Sequence, residues 1–166
     1  MADFLALIER QRIERVADVR RYPASRRHGH FDSAALEKAL LARGIGYRWF
    51  EDLGGRRSGS GPGSPNEGIE NAGFRGYADY MLTPRFAHAF DALVDELDLG
   101  RTALMCAEAL WWRCHRRLLS DLLVHRGTKV IHLLPDDRTA RHELWDLARP
   151  TPEGLVYPPI QSELEI

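Results

Sequence analysis

Apolar residues return every three to four positions in some stretches and run unbroken in others, and the two patterns alternate along the chain. Phe4, Leu5, Leu7 and Ile8 form a 3.6-residue stripe within residues 3–12, with Asp3 placed to cap a helix. Arg15–Arg20 predicts a short strand that breaks into polar residues. Pro23 bars any helix until Asp32 and Ser33, good caps for a helix over Ser33–Arg43 that carries Leu36, Ala39 and Leu40 and stops at Gly44. Ile45–Phe50 predicts a second strand. Residues 54–73 are rich in Gly, Ser, Pro and Asn and hold little that packs, which predicts an exposed, mobile loop serving as a lid or insertion. Phe74–Met81 predicts a helix, and Thr83-Pro84 opens another over Pro84–Glu96. Thr102–Cys106 lacks polar alternation, so a central strand buried on both faces is expected. A helix over Arg113–His125 ends at Gly127, Lys129–Leu134 predicts a further buried strand, and Arg138–Ala148 a last helix before the Pro-rich stretch 149–160.

Strands alternating with helices imply crossover connections. The expectation is an α/β fold: three layers, a mostly parallel sheet flanked by helices, Rossmann-like or rhodanese-like. Residues 1–150 are expected to form a single domain, and 151–166 an extended C-terminal tail. Ligands of such sheets bind beyond the C-terminal strand ends, which picks out Asp18-Val19-Arg20 and Cys106.

With 166 residues, 44% of them hydrophobic and 28% charged, the chain can bury a core without metal or disulfide staples. No stretch approaches the roughly 18 unbroken apolar residues of a membrane span, and the N-terminus lacks the basic start and apolar centre of a secretory signal. Two cysteines make no disulfide scaffold, so the reducing cytoplasm is the expected location. A net charge of −1 argues against bulk attraction to DNA or anionic lipid. The arginines are nevertheless clustered: Arg20, Arg21, Arg26 and Arg27 with His28 and His30, then Arg56 and Arg57, then Arg113, Arg116 and Arg117 with His115. Such a distribution points to a small anionic ligand before a long polyanion.

Cys106 stands where a strand ends and an Arg-rich helix start follows. Helix N–H groups and nearby arginines favour the thiolate, the nucleophilic form. The arrangement resembles the loops of cysteine-dependent phosphatases and rhodanese-type sulfurtransferases, although Ala107-Glu108-Ala109-Leu110-Trp111-Trp112 is bulkier than those loops and puts an acid beside the thiol. The blander reading, a small core residue at a strand end, stays open. Cys106, Cys114 and His115 are soft donors, but their spacing is not that of a closed zinc site, so no metal is expected. A reversible Cys106–Cys114 disulfide is an alternative. Asp18 and Arg20 form either an ion pair or part of a ligand site. His132 reads as a core histidine sooner than a general base, and Trp111-Trp112 as packing sooner than a base-stacking platform.

In order along the chain, Asp18-Val19-Arg20-Arg21-Tyr22-Pro23-Ala24-Ser25-Arg26, Gly44-Ile45-Gly46-Tyr47, Leu53-Gly54-Gly55-Arg56, Phe74–Met81, Leu104–Glu108, Cys114-His115-Arg116, Gly127 and Val130-Ile131-His132 resemble the domain-of-unknown-function family 488. The resemblance spans about residues 13 to 134. It implies a mostly bacterial and archaeal α/β domain, no established activity, and shared polar positions at Asp18, Arg20, Ser25, Arg26, Tyr47, Arg56, Tyr77, Cys106, Glu108, Cys114, His115 and Arg116. Family members open with a strand bearing a Gly-His-Ser sequence ahead of the first helix, so that strand is expected to be missing here.

The resulting expectation is a cysteine-dependent enzyme without a cofactor. Cys106, Glu108, Cys114 and His115 are the candidate catalytic groups, and Asp18, Arg20, Ser25, Arg26, Tyr47, Arg56, Tyr77 and Arg116 hold a small anionic or phosphate-bearing ligand such as a nucleotide or nucleic-acid end. A non-catalytic nucleotide or nucleic-acid binding module, and a thiol switch in a protein-interaction domain, are the alternatives. No membrane partner is expected.

Overall fold

In a computed structural model, residues 1–24, 29–59, 61–134 and 138–160 are described. The chain divides into two compact units, one of Met1–Gly55 and Ala87–Ala109, the other of Arg56–Phe86 and Leu110–Ile166.

The first unit contains helix α1 (Ala2–Arg10), strand β1 (Arg15–Asp18), α2 (Ser33–Leu41) and β2 (Gly46–Trp49). Between the two units in sequence come α3 (Ala72–Met81), which belongs to the second, and α4 (Pro84–Leu97), which starts in the second and continues in the first. Strand β3 (Thr102–Met105) completes the first. β1, β2 and β3 form a parallel sheet in the order β2-β1-β3, and with the helices this makes an α/β fold. β1 is the central strand, so the apolar run 102–105 is an edge strand and half-buried, not the central one expected. An unbroken apolar run says only that both faces are covered to some degree. Position in the sheet depends on which strands pair with it.

Leu5 and Ile8 of α1, Ile13, Val16 of β1, Leu36 and Leu40 of α2 and Ile45 form one apolar cluster. At about 1.5–3 kcal/mol for each large apolar side chain buried, this cluster is what holds the two helices to the sheet. Local signals place the ends. Asp32 accepts from the Ala34 N–H to cap α2, Thr83 accepts from the Phe86 N–H to cap α4, and Gly44 lies at φ 71°, past the end of α2.

The second unit contains α3, the start of α4, α5 (Arg116–His125), β4 (Ile131–Leu133), β5 (Thr139–Arg141), β6 (Arg149–Thr151) and β7 (Gly154–Val156). β4 pairs with β5 and β6 with β7, each antiparallel. The helix expected over 138–148 is absent among the described residues: Thr139–Arg141 pairs with β4, and the Trp145 N–H donates to a side chain of α5. Long-range partners for the backbone here outweigh a weak local helical pattern. Residues 151–160, expected as extended, include β7 and the wholly buried Tyr157.

The Gly/Ser/Pro-rich segment 54–73 is irregular but anchored, contrary to the expected mobile loop. Asn66 is wholly buried, Ile69 is 2% exposed, and Ser64 and Asn66 both donate to the Asp79 carboxylate of α3. Its glycines serve close approach. A Cβ on Gly76 would lie 2.6 Å from the Arg57 carbonyl oxygen, so only glycine lets this segment lie against α3.

Candidate functional site

Parallel pairing brings the C-terminal ends of the first unit's strands together. Asp18 is level with Trp49 on one side and Met105 on the other, and the Val19 N–H donates to the Met105 carbonyl at 2.9 Å. Cys106 follows β3 directly, so it stands at the sheet edge that the strand-end rule selected, half-buried. At this edge the side chains build an ion pair. Asp18 is wholly buried and Arg20 is 6% exposed. Arg20 Nε donates to both Asp18 oxygens, at 2.8 and 3.0 Å, and Nη2 donates to Oδ2. Arg20 Nη1 donates to the Phe31 carbonyl at 2.7 Å, and the Tyr47 hydroxyl donates to Asp18 Oδ2 at 2.8 Å. The Trp49 indole N–H holds the Arg20 carbonyl at 2.9 Å. Burial works against the Arg20 charge, but the Asp18 contacts outweigh it and raise the guanidinium above its ordinary pKa. Burial and the bond to Asp18 likewise push the Tyr47 phenol well up. Asp18, Arg20 and Tyr47 are therefore brought together as the sequence suggested, and most of their polar capacity is spent on one another.

The second unit gathers Tyr77, Cys114, His115 and Arg116. A short turn over Trp111–Arg113 leads into α5. The Cys114 N–H donates to the Trp111 carbonyl and the Cys114 carbonyl accepts from the Arg117 N–H, so this residue is pinned between turn and helix. Cys114 Sγ lies 3.5 Å from His115 Nδ1, and Arg116 Nε donates to the same sulfur at 3.4 Å. The His115 ring packs on Tyr77 with centroids 4.9 Å apart. Cys114 and His115 are 4% and 8% exposed. A sulfur this enclosed ionises only where a cation offsets the lost hydration, and Arg116 is that cation. The same sulfur and imidazole nitrogen are also donors that a soft metal ion takes.

The remaining candidates are dispersed. Arg56 is exposed at φ 60°, Glu108 is exposed in the first unit, and Ser25 and Arg26 lie outside the described residues.

A second polar constellation was not read from the sequence. Asp121, wholly buried on α5, takes His142 Nε2 at 2.9 Å, the Trp145 N–H at 2.9 Å and the Tyr157 hydroxyl at 3.0 Å. His142 Nδ1 lies 2.9 Å from His132 Nε2, and the His132 ring stacks on Trp111 with centroids 3.9 Å apart and planes 1° from parallel. Burial foremost, then the charges of His142 and Arg116, bring the His132 pKa down to about 4. Tyr157 is pushed far up, by burial and then by Asp121. One signal for this group was present: Asp121 lies inside the run Leu118-Leu119-Ser120-Asp121-Leu122-Leu123, where a buried acid must have partners. His142 gave none, because it falls in the segment that reads as an amphipathic helix.

Among the described residues no helix is long and apolar enough to cross a membrane. No curated protein and no solved structure matches the chain. Residues 1–123 match the family model described as Domain of unknown function DUF488, a span that holds Asp18, Arg20, Tyr47, Cys106 and the Cys114-His115-Arg116 triplet, and the chain belongs to that family.

Proposed function

We infer that this protein is a cysteine-dependent enzyme acting on a small anionic, phosphate-bearing ligand, with Cys114 carrying the thiolate. One observation carries the reading: Arg116 Nε donates to Cys114 Sγ at 3.4 Å while His115 Nδ1 lies 3.5 Å from the same sulfur. His115 takes the thiol proton, Arg116 stabilises the resulting sulfur anion and attracts the ligand's negative group, and the thiolate attacks the ligand's electrophilic centre. The thiolate is assigned to Cys114, and not to Cys106 as the sequence favoured, because the cationic donor is directed at Cys114.

The test is thiolate absorbance near 240 nm against pH, read as the difference between wild type and Cys114→Ser. A Cys114 step below the unperturbed value of about 8.5 is expected, moving upward in Arg116→Ala. No step before the protein unfolds would refute an activated thiolate. A second reading, a nucleotide or nucleic-acid binding module, is favoured by Trp112, which is 42% exposed and followed by the exposed Arg113. It predicts nucleotide binding that survives Cys114→Ser and weakens in Trp112→Ala.

A further inference from the structure

The Asp121–His142–His132 chain plays no part in the thiolate chemistry above, yet it is the most completely buried polar array in the second unit. Its members are 0%, 3% and 8% exposed. Two donors besides His142 hold the Asp121 carboxylate, so its position is set before any ligand arrives.

The direction of the chain follows from what each group can do. A carboxylate only accepts, so His142 must donate its Nε2–H to Asp121. In a neutral ring the other nitrogen then accepts, which requires His132 to donate its Nε2–H to His142 Nδ1. His132 is left with a lone pair on Nδ1, and no described residue hydrogen-bonds to that atom. Trp111 covers one face of the ring, and the Arg116 charge is close enough to depress the His132 pKa, which puts this nitrogen beside the segment that bears Cys114 and Arg116.

We propose that His132, oriented by His142 and Asp121, is a specificity-determining acceptor that selects a phosphoryl group still carrying a proton, binding its P–O–H at Nδ1 while Arg116 attracts its anionic oxygens. The proposal rests on the reading that an anionic ligand sits beside Arg116, but not on the thiolate. The discrimination is chemical. A phosphate or phosphomonoester near pH 6 keeps an O–H to donate, its second ionisation lying at about 6. Sulfate has none and would set an oxygen lone pair against that of Nδ1. A buried site that demands a donor rejects an analogue lacking one, because the acceptor is left unpaired.

The test is calorimetric titration of the full chain at pH 6 with inorganic phosphate, adenosine monophosphate and sulfate. Phosphate or the nucleotide is expected to bind at least about tenfold tighter than sulfate, a factor in keeping with one lost hydrogen bond. Whichever of the two binds tighter identifies free phosphate or an ester as the source, and either supports the proposal. His132→Phe keeps a ring on Trp111 but removes the acceptor, and should abolish the preference. His132→Gln can still donate to His142 and present an oxygen outward, and should restore part of it. Should the variants fail to fold, the wild-type ¹⁵N spectrum decides: His132 is expected as the Nε2–H tautomer, with the bare Nδ1 shifting on phosphate and not on sulfate. Equal affinity for phosphate and sulfate, no phosphate binding, or an Nδ1–H tautomer would each overturn the proposal. A missing Cys114 thiolate step would overturn only the enzymatic reading.

Discussion

Asp18 and Asp121 are both wholly buried, one in each unit, and both accept a tyrosine hydroxyl, Tyr47 in the first case and Tyr157 in the second. Their main partners differ. Asp18 meets an arginine that grips both its oxygens. Asp121 meets a histidine that passes the hydrogen bond on to another histidine. A guanidinium has only donors and keeps its charge, so the Asp18 pair is complete once made. An imidazole has one donor and one acceptor when neutral, so each ring relays the requirement to the next. The first arrangement ends in a closed pair and fixes the sheet edge. The second ends in a nitrogen with capacity to spare, which makes it the better place to look for ligand chemistry.

Removing the carboxylates should separate the two most sharply. Asp18→Ala strands a buried guanidinium and is expected to cost about 3–5 kcal/mol in denaturant unfolding. Asp121→Ala strands neutral donors and is expected to cost less, about 2–3 kcal/mol. The reverse order would break the distinction between a charged pair and a neutral relay.

Acid should act through the second unit. His132 takes up a proton near 6.5 when unfolded and at about 4 when folded, so between these values the unfolded state binds more protons. This contribution to stability is complete above about pH 6.5 and is lost as the pH falls toward 4. The fall should flatten in His132→Gln, and unfolding midpoints across that range would show it. An unchanged profile in the variant would mean that His132 titrates normally.

The tyrosines give a finer contrast. Each donates to a buried carboxylate, so Tyr47→Phe and Tyr157→Phe should each cost about 1.5 kcal/mol, with Tyr157→Phe the larger because that residue is wholly buried and Tyr47 only partly. Smallest of all should be Arg117→Ala. Its guanidinium lies 3.6 Å from the centre of the Trp145 ring, a stacking worth about 0.5–1 kcal/mol at a part-exposed position. A loss as large as that of Asp18→Ala would mean that Arg117, and not only the histidines, neutralises Asp121.

Periodicity read the secondary structure well as far as His125. Stripes such as Phe4-Leu5-Leu7-Ile8 and local stops such as Asp32, Pro84 and Gly127 act within a few residues, and the helices and strands stand where these put them, within two or three positions at each end. Beyond 130 the reading failed because the backbone finds its partners far away: Ile131–Leu133 pairs with Thr139–Arg141, and Tyr157 donates its N–H to Asn66, 91 residues earlier. The candidate site was legible in part. Strand ends located Asp18, Arg20 and Cys106 along the chain, but no spacing rule showed that Arg20 is spent on Asp18 or that Arg116 turns to Cys114.

By itself the sequence determined the α/β class, the helices and strands through α5, and the residue types able to bind an anion or form a thiolate, since all of these depend on side-chain chemistry and on contacts a few residues apart. Only the tertiary structure decided which buried polar group meets which. A carboxylate removed from water must take whatever donors the fold brings within about 3 Å, and for Asp121 those come from positions 142, 145 and 157, a meeting that no local pattern encodes.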